Sequence, residues 1–150
     1  MVLLFIAITI SSCESPNFEK PANTITVKKA KELSNNFDVR HDTISALIGK
    51  PDNRSSWHSL AELEQYIAYI KKEGANKGLD VDGIRIYFGA YGPNEEGREN
   101  YSTLFLVPTV KATTVPGVKN FAAVSGDSGD TEELQPLNLG NQGNPPSNKY

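Results

Sequence analysis

The chain's two imidazoles, His41 and His58, are the first residues to weigh for chemistry, because each has carboxylates close by in sequence. Asp38-Val39-Arg40-His41-Asp42 sets acids on both sides of His41, and a carboxylate beside an imidazole can orient the ring for general-base work. No nucleophile is tied to either ring by spacing. A solvent-exposed position at a helix end is the simpler expectation for His41. A zinc site needs about three or four ligands, and one cysteine with two histidines this far apart marks none. Gly78-Leu79-Asp80-Val81-Asp82-Gly83 has the acid spacing of a calcium loop. If Gly83 takes the loop's glycine position, glycines fall at both ends where acids are required, so a polar turn feeding a strand is expected instead. Ser125-Gly126-Asp127-Ser128-Gly129-Asp130 is superficially like the nucleophile segment of serine proteases, yet it lies in a tail with no core to position it. There is no Gly-x-Ser-x-Gly, Walker or dinucleotide loop. No catalytic residue, metal ligand or cofactor is expected, and the motifs lean away from an enzyme.

Binding chemistry is better represented. In Gly83–Tyr91 the side chains alternate, so Arg85, Tyr87 and Tyr91 share one side of a strand. Trp57, Tyr69 and Tyr101 are expected near them. Aromatic rings stack and their polar tips hydrogen-bond, which suits sugar or peptide partners. Trp57, Arg85, Tyr87 and Tyr91 are therefore the candidate binding residues. Tyrosine is also simply common in strands. Asp42-Thr43-Ile44 fits a loose Asp-Thr-aliphatic pattern of O-glycosylated periplasmic proteins, with a helix cap at Thr43 as the alternative.

Cys13 carries a different chemistry. It is the only cysteine and follows Ile10-Ser11-Ser12, an order that resembles the bacterial lipobox. The mostly apolar run before it is far shorter than the roughly 20 residues of a membrane-spanning helix. It fits the apolar region of a secretion signal, typically about 7–15 residues. Residues 1–12 are read as a lipoprotein signal peptide, although no Lys or Arg precedes Lys20. Cys13 is read as the lipidated N-terminus, and residues 13–23 as that cysteine plus a Pro-rich tether. More than one acyl chain anchors stably. The formal net charge of −3 argues against nucleic acid, which requires clustered Lys and Arg.

The elements that would position these residues form one domain, 24–124. A helix is expected over 24–38 with Thr26 as its cap, and Ile44, Leu47 and Ile48 continue helical spacing to the break at Gly49-Lys50-Pro51. Residues 59–77 form the strongest helix. Ser59 and Glu62 have capping-box spacing, Leu60, Leu63, Tyr66, Ile67 and Ile70 form one stripe, and Glu73 and Lys77 are a pair at i,i+4. Two strands, 83–91 and 103–110, make a hairpin with a polar loop. Pro108 predicts that the second strand lies at an edge or leaves the sheet there. Residues 119–124 could add a third element. Residues 125–150 read as a low-complexity tail, mostly extended or disordered. The fold class is α+β: a small antiparallel sheet with a hairpin core, packed against two or three helices, with that C-terminal tail.

The stretches Ser59–Ile70, Val81–Tyr91 and Thr103–Thr109, with Leu137–Gly140 and Pro145-Pro146, resemble an uncharacterised family of small hypothetical lipoproteins from Bacteroidetes-type bacteria. That resemblance covers about half of the chain. It implies an α+β domain and a Gram-negative envelope setting, and it carries no activity and no catalytic residue. The functional expectation is a lipid-anchored protein of the bacterial cell envelope, in the outer membrane and facing periplasm or surface. It would be held to the membrane by its N-terminal lipid, and it would serve as a binding or assembly module for a protein or glycan partner. The alternatives are a small envelope hydrolase using His41 or His58, and an inhibitor or immunity-type protein acting through the 92–102 loop.

Overall fold

The computed structural model describes residues 19–111, 128–138, 140–142 and 150. The signal segment, Cys13 and the element expected at 119–124 lie outside them. Among the described residues no helix is long and apolar enough to cross a membrane.

Thr26 caps α1 (Val27–Asn36) by accepting the Lys29 amide at 3.1 Å. The chain keeps helical backbone through Phe37 and enters α2 (Asp38–Ile48), which ends at Gly49 in the left-handed conformation, φ 73°. After β1 (Ser56–Trp57), Ser59 caps α3 (Leu60–Asn76) through the Glu62 amide at 3.0 Å. The Glu62 carboxylate does not complete a reciprocal capping box: it accepts instead from His58. At its far end α3 closes in a Schellman motif. The Leu79 amide reaches the Gly74 carbonyl at 2.8 Å, the Gly78 amide reaches Ala75, and Gly78 takes φ 70°. The expected Glu73–Lys77 pair is not made, because the turn carries Lys77 toward Glu133, 3.9 Å away, while Glu73 accepts from Asn76.

β2 (Val81–Ala90) and β3 (Ser102–Lys111) pair antiparallel, and β4 (Ser128–Asp130) adds to the other edge of β3. A separate two-stranded pair joins β1 to β5 (Asn141–Gln142). Helices packed on a small antiparallel sheet make this an α+β fold. Ile84 opposes Pro108, Ile86 opposes Leu106 and Phe88 opposes Leu104, so these side chains share one face. Arg85, Tyr87 and Gly89 share the other with Val107, Phe105 and Thr103.

Pro108 does not place β3 at an edge: β3 is the central strand. The reason lies in which side its nitrogen faces. Within a strand a residue's N and C=O point the same way, and the Pro108 carbonyl accepts from Thr131 at 3.2 Å, just beyond the end of β4. The missing N–H therefore falls where that ladder has stopped, and nothing is lost toward β2.

α3 covers only part of the apolar face. Tyr66 and Ile70 are buried against Leu106 and Val110, with Leu63, Val81 and Ile84 packed around them, while Leu60 stays exposed. The C-terminal segment completes this core. Its described part, expected to lie in a low-complexity tail, runs along the edge of β3 beyond β4: Leu106 and Leu137 exchange backbone hydrogen bonds at 2.8 and 2.9 Å. Leu134 from this segment is 1 % exposed. Burying such a side chain is worth about 1.5–3 kcal/mol. The Tyr66 hydroxyl ties the layers together, lying 3.1 Å from the carbonyls of both Leu106 and Gln135, and burial raises its pKa.

Acidic side chains fasten β4. Asp82 accepts from Ser128 and, at 2.7 Å, from Thr109, with Lys111 nearby. Desolvation pushes its pKa up, but the hydrogen bonds and the lysine outweigh it, so the net shift is downward. A carboxylate with a depressed folded pKa stabilises above its unfolded value, about 3.9, and that contribution fades as pH falls through the folded value. Acidification below about pH 4 is therefore expected to loosen β4 before the hairpin. Hydrogen exchange at Gly129 and Thr131, whose amides face β3, would report it, and Asp82→Asn should flatten that pH dependence.

Candidate functional site

A hollow forms among the described residues where α2 and the 53–55 segment face the far end of the hairpin. α3 does not reach Phe88 and Leu104, and Phe88 is 85 % exposed. Phe37 and Ile44 rise opposite from the α1–α2 joint and from α2. Together with Arg40, Asn53, Arg54 and Ser55 they enclose a cavity of about 330 Å³.

A buried carboxylate builds its wall. Asp52 is 1 % exposed, and both of its oxygens hold Ser102. Oδ1 accepts the Ser102 amide at 2.7 Å and Oδ2 the Ser102 hydroxyl at 2.5 Å. The Asp52 backbone is held from the other side: its amide donates to Ser45 Oγ at 2.9 Å and its carbonyl accepts from His41 Nε2 at 3.0 Å. Asn53 Nδ2 adds a bond to the Ser102 carbonyl at 2.9 Å. α2 is thus clamped to the start of β3 by groups that satisfy one another.

His41 is accordingly not the exposed helix-end residue its sequence context suggests. It is buried inside α2, with Nδ1 3.1 Å from Asp42 and Nε2 on the Asp52 carbonyl. Both ring nitrogens face acceptors. Ser45, 3.5 Å from Nε2, already accepts the Asp52 amide, so this trio is built for structure rather than base catalysis. Thr43 is not a cap: mid-helix, its hydroxyl donates to the Val39 carbonyl at 2.7 Å.

The two arginines of the cavity differ. Arg54 is 4 % exposed, donates to the Ser34 carbonyl at 2.7 Å, pairs with Asp38 at 2.8 Å and lies over the Phe37 ring. It joins α1 to α2. Arg40 is exposed on α2 and has no ion pair among the described residues, so its guanidinium can meet a ligand.

The candidate residues of the strand face are placed as follows. Arg85 and Tyr87 do share a side, and both turn to Asp130 of β4: Arg85 pairs with it at 2.5 Å and the Tyr87 hydroxyl donates to its other oxygen. The Tyr87 hydrogen bond, together with nearby Asp130, raises the Arg85 pKa further. Tyr87 also stacks on Phe105, ring centroids 5.3 Å apart. A second hollow of about 510 Å³ opens beside these rings and residues 131–136. Tyr91 faces Asn138 at 3.4 Å and Arg98 lies over its ring. Trp57 stands exposed on β1, in the other sheet. Tyr101 carries Lys50 over its ring, and Tyr69 stacks with Tyr66. The polar groups on this face are thus largely engaged with one another. Among the described residues no group of three or more His, Cys, Asp or Glu could hold a metal ion.

Sequence reasoning missed Phe37, Arg40, Ile44, Arg54 and Leu104 as one site. The available signal was an apolar strand stripe, Ile84 to Ala90, longer than one helix stripe can cover. Comparison of the chain with protein-family models, curated proteins and solved structures gives no match.

The contrast between the arginines can be measured. Arg54→Ala removes charge-assisted bonds to Ser34 and Asp38 and should destabilise by about 1.5–3 kcal/mol, whereas Arg40→Ala should change stability by less than about 0.5 kcal/mol. Urea unfolding of the two variants checks both values.

Proposed function

We propose that the protein is a lipid-anchored binding module of a bacterial cell envelope, and that the cavity beside α2 takes a small amphipathic anion. The observation that carries this reading is an arginine, without an ion pair among the described residues, at an apolar cavity. Phe37, Ile44, Phe88 and Leu104 offer walls for a hydrocarbon or aromatic body, and Arg40 offers a partner for a carboxylate. The volume, about 330 Å³, lies near the lower end of small-molecule sites, roughly 300–1,000 Å³. Ligand contact with Phe88 would remove from water a ring that the protein itself leaves uncovered. Because the Asp52 clamp is satisfied internally, the cavity stands open before a ligand arrives, which limits the ordering cost of binding.

A medium-chain carboxylate such as decanoate is the direct probe, with decanol as its uncharged match. Calorimetric titration should give saturable decanoate binding that Arg40→Glu weakens by about tenfold or more, close to 1.4 kcal/mol, with the melting temperature unchanged. Equal affinity for decanoate and decanol, or no effect of Arg40→Glu, would defeat the anion reading.

The anchor rests on Ile10-Ser11-Ser12-Cys13, the apolar run before it and the Pro-rich segment after it. Cys13 would take the lipid, and residues 14–23 would let the domain reach away from the membrane. In an envelope-bearing host, Cys13→Ser should leave an unprocessed precursor that no longer partitions into detergent. Normal processing of that variant would sink the lipobox assignment.

A further inference from the structure

His58 differs from His41 in having a ring nitrogen with nothing to do. Glu62 Oε2 accepts from Nδ1 at 2.9 Å, a contact that in the neutral ring leaves the lone pair on Nε2. The His58 side chain is 7 % exposed, and Nε2 is buried with no hydrogen-bond partner among the described residues. Ser56 Oγ is buried and equally unpartnered. Ser56 lies on β1 and His58 one residue beyond the strand's end. The two atoms converge: each lies within 3.0 Å of the point where a Cβ on residue 140 would sit, and glycine leaves that point empty. A hydroxyl, an imidazole lone pair and a carboxylate on the ring's other nitrogen are the parts of an acyl-transfer nucleophile. Nothing in the fold requires them in this state, since hydrogen-bonded or apolar groups there would be more stable.

We propose that Ser56, His58 and Glu62 are a nucleophile, a general base and its positioning residue for acyl transfer from small esters, covered by Gly140 and by β5, which follows it. Among the described residues β5 pairs with β1 at Ser56–Gln142 and Trp57–Asn141 alone, and so short a pairing opens locally at low cost. With β5 lifted, Ser56 Oγ attacks the ester carbonyl while its proton passes to His58 Nε2. The carbon–oxygen bond of the leaving group then breaks, and Nε2 returns the proton to the departing alkoxide. Water, deprotonated by the same nitrogen, releases the acyl group and restores Ser56. Glu62 stabilises the transient imidazolium and is itself favoured at the positive end of α3. This site is separate from the Arg40 cavity and does not rest on it.

The full chain is treated with a fluorophosphonate probe and the adduct located by peptide mass spectrometry. Ser56 should be labelled in the folded protein and not in urea, where a serine without its base is inert. His58→Gln should slow labelling by roughly 10²-fold or more, and Glu62→Gln should slow it less. Gly140→Ala places a methyl on both groups, so it should displace the cover and speed labelling. Lack of a Ser56 adduct in both the native protein and Gly140→Ala overturns the proposal. So does Ser56 labelling at the same rate in urea. The urea control uses the natural sequence and stands even if a variant fails to fold.

Discussion

The grip of Asp52 on Ser102 is the interaction on which the upper half of the molecule depends. One buried carboxylate takes both the amide and the hydroxyl of the residue that starts β3, across a separation of 50 positions. Its own amide and carbonyl are held by Ser45 and His41 of α2. A buried carboxylate without partners would be intolerable. Here each oxygen has a donor, and the arrangement converts that electrostatic demand into a distance between helix and sheet. α1 and α2 contribute few buried apolar groups: His41 is the only buried residue of α2, and α1 has none. Hydrophobic packing alone therefore does not place them. Directional bonds from Asp52, Asn53 and Arg54 do, and the hollow beside Phe88 is what remains between elements held apart by them.

The lower half follows the opposite logic. There α3, the hairpin and the C-terminal segment meet through Tyr66, Ile70, Leu79, Leu106, Val110 and Leu134. Gly74 lets the chain return closely after the helix, because a Cβ there would run into the Val81 side chain. Few apolar groups are available, so Leu134, reaching in from a mostly polar segment, carries a large share of the burial. Its segment is held by backbone pairing at Leu106–Leu137 and by the Tyr66 hydroxyl. Asp130 adds a polar latch from the other face through Arg85 and Tyr87.

What could be read in the sequence was local. The caps at Thr26 and Ser59, the stop at Gly78, the alternation through Ile84–Ala90 and the α+β class all depend on neighbours a few residues apart. What could not be read depends on distant partners. Lys77 left Glu73 for Glu133, Pro108 sits in a central strand because of where β4 ends, and His41 is buried because Asp52 comes back over it. The same limit hid the cavity. Arg40 and Arg54 look alike in the sequence, and only the folded chain makes one a strut between helices and leaves the other at the rim. The Arg85–Tyr87 face was legible as a face, while its attachment to Asp130, 43 or more positions away, was not.

The two histidines make the same point in chemical terms. Each has a carboxylate on Nδ1, at 3.1 Å for His41 and 2.9 Å for His58, and each has a serine within two or four positions. Their difference lies wholly at Nε2. At His41 the clamp that holds α2 uses that nitrogen, and any reaction there would break one of the two bonds that hold the Asp52 backbone to the helix. At His58 no hydrogen bond among the described residues uses it, and the strand beside it pairs through two residues. A ring committed to the architecture cannot accept a proton from a nucleophile without loosening the fold, whereas an uncommitted one can. The rigid and the reactive roles are therefore distributed to opposite histidines, and the residue that separates them is Gly140, whose missing side chain leaves Ser56 and His58 facing the same point.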